Sequence, residues 1–155
     1  MNKKLTLAIC SLFLATSSIA AESIQGLVKG GDAPIANSTV TLWAATAGAP
    51  KQLGQARTGA DGRFILATPK NLVDASLYLV AQGGQPTANK SVGNNPTIAL
   101  MIVVGSKLPA KVTINEFTTI ASVVTHNQYI DGTVIKGSPL ALRIAAGNVS
   151  NFVDL

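Results

Sequence analysis

Between Ser23 and Ala67 the sequence breaks every few residues at a turn-forming cluster, and the runs between the breaks alternate in polarity. A chain punctuated this closely has no room for long helices and must build its core from short strands. Ile24 to Val28 reads as a strand that ends at Lys29-Gly30-Gly31-Asp32, where glycine reverses the chain without steric cost. Val40, Leu42 and Ala44 alternate with Thr39, Thr41 and Trp43, the two-residue period of a strand with two different faces. Leu53 to Thr58 is the next expected strand. Gly59-Ala60-Asp61-Gly62 is then the strongest hairpin signal in the chain, with Arg63 to Ala67 as the returning strand.

Leu77 to Gln82 reads as a further strand closed by Gly83-Gly84, and Gln85 to Pro96 as a polar loop. Thr97 to Val104 is almost continuously apolar, which suits a strand buried on both faces or packed against an added element. From Thr113 the period lengthens. Phe117, Ile120, Val123 and Val124 fall three to four apart behind Asn115-Glu116, a capping side chain and an acidic first turn, so a helix is expected from about Glu116 to His126. Ser138-Pro139 repeats the start signal, and Leu140, Ile144 and Ala145 carry a second helical stripe to about Asn151. The strand part alone would bury roughly 60% of its unfolded surface, a thin margin for a domain of this size, so the helices are expected to pack onto it.

The first twenty residues read as a secretory signal peptide: Lys3 and Lys4, an apolar stretch from Leu5 to Ala15, and the small-residue cleavage site Ser18-Ile19-Ala20. A mature start at Ala21 is expected. The stretch is too short and mixed for a permanent bilayer span, so no transmembrane anchor is expected after cleavage. Cleavage removes Cys10, the single cysteine, and with it any disulfide, thiolate ligand or cysteine nucleophile. Ile9 before Cys10 replaces the small residue that a lipoprotein signal would carry. Ten Lys and Arg then face seven Asp and Glu, a net charge of +3, and the basic residues are scattered without interleaved aromatics. Nucleic acid is not an expected partner.

Three stretches carry a resemblance: Gln25-Gly26-Leu27-Val28, Ala33-Pro34-Ile35 running into Val40-Thr41-Leu42, and Arg57-Thr58-Gly59-Ala60-Asp61-Gly62-Arg63-Phe64. Together they resemble the carboxypeptidase regulatory-like domains, whose pattern is a Gly-x-Val strand, a Pro-Ile turn, a Val-x-Leu strand and a Thr-x-x-Asp-Gly-x-Phe hairpin. The resemblance spans about Ser23 to Gln82. It implies a mainly β fold, a Greek-key prealbumin-like or Ig-like β-sandwich, over residues 21–105. Residues 106–155 would form a C-terminal helical extension. In that family the module is accessory and has no catalytic residues. The tail from Val112 looks like a segment that follows such sandwiches in some large secreted or surface proteins of bacteria. Leu155 falls directly after an expected helix end, as in a truncated or split reading frame.

Candidate chemistry is sparse. His126 could serve as a general base, but no Gly-x-Ser-x-Gly turn supplies a nucleophile, and a histidine at a helix C-terminus has a structural explanation. Glu116 with Asp131 or Asp61 could pair as glycosidase carboxylates, although Asp61 and Asp131 precede glycine as turn residues and Glu116 starts a helix. Asp61, Asp74 and Asp131 are too dispersed for a calcium loop, so no metal and no cofactor are expected. Trp43, on the strand face opposite Leu42 and Ala44, could stack on a sugar ring with Tyr78 as partner, or lie beneath the helices. The expectation is a non-enzymatic structural or interaction module of the bacterial cell envelope or surface, secreted or periplasmic, with a protein or glycan partner. The alternative is a carbohydrate-binding module using Trp43, Tyr78 and adjacent loops.

Overall fold

The computed structural model describes residues 22–70 and 75–153. The expected signal peptide, Cys10 and Asp74 lie outside the described residues. The chain is mainly β. In the first sheet, β1 (Ser23–Gly30) lies antiparallel to β5 (Arg63–Ala67) on one side and parallel to β9 (Lys111–Ile114) on the other. The end of β1 turns through Gly31 and Asp32, both at positive φ, into β2 (Ala33–Ala36), which pairs in turn with β7 (Gln85–Pro86). The second sheet is antiparallel throughout, in the order β4 (Lys51–Arg57), β3 (Thr39–Ala45), β6 (Ser76–Gln82), β8 (Ala99–Gly105).

Strand alternation builds two cores from the second sheet. Leu42, Leu77, Leu79 and Ile102 point toward the first sheet and meet Ile24, Val28, Phe64, Leu66 and Ile114 there. Tyr78, Val80, Met101 and Val103 point the other way and are covered by Ala121, Ile135, Leu142, Ala146 and Val149. This third layer contains α1 (Glu116–Thr125), a small hairpin of β10 (Ile130–Asp131) and β11 (Val134–Ile135), and α2 (Pro139–Gly147) with a 3-10 turn at Val149–Asn151. Burial on both faces explains the continuous apolar run of β8.

The strongest turn signal is not a hairpin. β4 pairs with β3 and β5 with β1, so Gly59 to Gly62 is a corner that carries the chain from one sheet to the other. Thr58, 3% exposed, pins it: its hydroxyl accepts the Ser38 N–H and donates to the Ile35 carbonyl, both at 2.8 Å. At Gly62, φ +74°, a side chain would strike the Val28 carbonyl and Pro34. Sheet hydrogen bonds also continue past residue 105. Val112 and Ile114 enter the first core from β9, although their four-residue alternation is too short to be recognised as a strand. The second helix ends at Gly147, short of Asn151.

Candidate functional site

α1 is capped as its sequence dictates. The Asn115 side chain accepts the Thr118 N–H at 2.9 Å, and the Thr118 hydroxyl accepts the Asn115 N–H at 3.0 Å. The apolar stripe that marks it in the sequence does not face the core. Phe117, Ile120 and Val124 are 71%, 59% and 53% exposed, whereas Thr118, Ala121 and Ser122 are buried. The reason lies in β8, whose outer edge has no neighbouring strand among the described residues. The Met101 N–H donates to Thr119 Oγ1 at 3.0 Å and the Val103 N–H to Ser122 Oγ at 2.9 Å, while Thr118 Oγ1 donates to the Met101 carbonyl at 3.0 Å. Buried backbone groups require partners. The hydroxyl stripe supplies them, so it must face inward, and the apolar stripe on the other side of the helix is turned out.

α2 repeats the pattern more simply. Ser138 caps it, and Leu142, Ala145 and Ala146 pack on the second sheet. Leu140 and Ile144 remain 67% and 63% exposed, and Phe152 beyond the 3-10 turn 60%. The two helices touch each other, and each turns apolar side chains to solvent. The hydroxyls at positions 118, 122 and 125 recur at helical spacing as clearly as the apolar residues do. That second stripe was the sequence signal for this orientation.

The candidate chemical residues do not converge. His126 caps the C-terminus of α1 and is fully buried. Its Nδ1 lies 2.9 Å from the Thr125 hydroxyl and 3.2 Å from the Ser122 carbonyl. Among the described residues Nε2 makes no hydrogen bond of regular geometry, although the Leu142 carbonyl acts on the ring. Burial lowers the pKa of His126 below its usual 6.5, opposed by the carbonyls of Ser122 and Leu142. Ser122 Oγ is committed to Val103 and to the Thr118 carbonyl. Glu116 accepts the Gly31 N–H at 2.7 Å and so ties α1 to the β1–β2 turn. Asp61 accepts the Arg63 N–H in the inter-sheet corner, and Asp131 sits in the β10–β11 hairpin. The three carboxylates therefore belong to three separate turns. Among the described residues no group of three or more His, Cys, Asp or Glu could hold a metal ion.

Trp43 and Tyr78 are brought together as cross-strand neighbours, but not as an exposed platform. Tyr78 is 1% exposed, and its hydroxyl accepts the Ile135 N–H at 3.4 Å. Burial raises the pKa of that phenol, and the Ile135 N–H opposes the shift. Trp43 is half-buried against the second core. An open concavity of about 500 Å³ crosses the outer face of β5, β1 and β9, lined by residues including Gln25, Leu27, Arg63, Ile65 and Lys111.

No family model matches the sequence, and no curated protein matches it. Among solved structures the chain is similar to a 9R-lipoxygenase from Cyanothece PCC8801, at 17% identity and a TM-score of 0.41. The match covers 73% of this chain but only 18% of the lipoxygenase, a likeness too loose to carry a fold or an activity across.

Proposed function

We propose that the chain is a non-catalytic interaction module of the bacterial cell envelope or surface, exported by a cleaved signal peptide and docking through its helical layer. In this reading the two sheets form a prealbumin-like sandwich of the carboxypeptidase regulatory-like type, and the helices are a C-terminal extension that carries the contact. The observation that carries the reading is the outward apolar stripe of α1. Isolated exposed apolar residues are ordinary, but a complete helical stripe turned away from its own core is a surface left for another molecule.

A photo-crosslinking residue placed at Ile120 in producing cells is expected to give adducts heavier than one chain. The same residue at Gln52, exposed on β4 at the far edge of the second sheet, is expected to give none. Equal labelling at both positions, or none at either, would overturn the reading. For export, the protein recovered outside the cytoplasm should begin at Ala21. An uncut chain retained in the cytoplasm would remove the envelope assignment.

A further inference from the structure

Resting on the reading of the helical layer as an interaction face, we propose that its occupant is a second copy of this chain, joined through an isologous interface. Phe117, Ile120, Val124, Leu140, Ile144 and Phe152 are each more than half exposed. Counting roughly 170 Å² for a large side chain in full exposure, they offer on the order of 650 Å². Summed over both helices, that approaches the ~800 Å² per partner of a standard specific interface. Two such faces brought together would bury roughly 1,300 Å², enough for a stable dimer.

Charge selects the copy over other occupants. A face that meets itself must avoid like charges. α1 carries one charged residue, Glu116, at its first turn and held by Gly31. α2 carries one, Arg143, which is engaged within its own chain. The two helices therefore bring one acidic and one basic residue to the interface, both already engaged within their own chain, and exposed Asn127 and Asn148 beyond the helix ends give the polar rim that protein interfaces have. A lipid surface would instead call for several Lys and Arg flanking the apolar stripe; α1 has neither, and near α2 there are only Lys136 and Arg143, the latter engaged within its own chain.

The test is sedimentation of the protein purified after export, from about 1 to 100 μM, a span chosen to bracket dissociation constants of ordinary interfaces. The expected result is a concentration-dependent species of twice the chain mass, reduced to one chain mass by Ile120→Glu and by Leu140→Glu with the far-ultraviolet circular dichroism unchanged. Ile120→Ser, which removes area without adding charge, should weaken association at least tenfold. A wild type that stays at one chain mass throughout, with Ile120→Glu still folded, would overturn the second-copy assignment and leave the interaction face standing for another partner. Loss of the helical signal in both Ile120→Glu and Ile120→Ser would show that the stripe is part of the chain's own core, and would overturn both.

Discussion

The hydroxyl of Ser122 accepts the N–H of Val103 at 2.9 Å, and through this bond a helix side chain takes the place of a missing strand. Ser122 is buried, and its own proton goes to the Thr118 carbonyl at 2.7 Å. Ser122→Ala leaves the Val103 N–H buried without a partner, at a cost of about 1–3 kcal/mol. Chemical denaturation should record that loss, with slower-exchanging protection of the Val103 amide abolished. A change under 0.5 kcal/mol, roughly the scatter of neutral surface substitutions, would show that the edge is not held by this bond.

Gly26 and Phe64 are paired across β1 and β5, and the Phe64 ring occupies the space where a side chain at position 26 would begin. Gly26→Ala is expected to destabilise the fold by about 1–3 kcal/mol through overpacking. Phe64→Leu in the same chain should recover part of the loss, so that the two changes are non-additive in a double-mutant cycle. Strict additivity would contradict the contact.

Thr58 fastens the corner between the sheets through two hydrogen bonds of one buried hydroxyl. Thr58→Val preserves shape but strands the Ser38 N–H and the Ile35 carbonyl, and should cost about 2 kcal/mol or more. Thr58→Ser, which keeps the hydroxyl, should cost less than half as much. Thermal unfolding of the two variants side by side decides this.

His126 sets a pH dependence. Its folded pKa is lowered below the unfolded value of 6.5, so the unfolded chain binds the extra proton first. The stability that a neutral, buried His126 allows is complete above about pH 7 and is lost as pH falls through 6.5 toward the folded pKa, with a slope of at most ~1.4 kcal/mol per unit. Denaturation measured between about pH 7.5 and 5.5 should show this slope in the wild type and a flatter one in His126→Gln. Equal slopes would place the titration elsewhere.

Local features were legible because their causes lie within a few residues. Gly31-Asp32 turns the chain at positive φ, Asn115 and Ser138 cap their helices, and the alternation of Thr39 to Ala45 assigns Leu42 and Trp43 to opposite faces of β3. The same alternation put Trp43 and Tyr78 within reach of one another as candidates, but it could not show that Ile135 and the helical layer close over Tyr78.

Sequence alone located β1, β3 to β6, β8 and the two helix caps, since steric and hydrogen-bonding preferences act over one to four residues; the short strands β2, β7, β9, β10 and β11 escaped it. Tertiary structure decided which sheet β5 joins, that β9 belongs to a sheet, and which side of α1 faces inward. Both stripes of α1 are written in its residues; the N–H groups on the edge of β8, some twenty residues earlier in the chain, take the hydroxyls, because each buried amide left unpaired would cost about 1–3 kcal/mol.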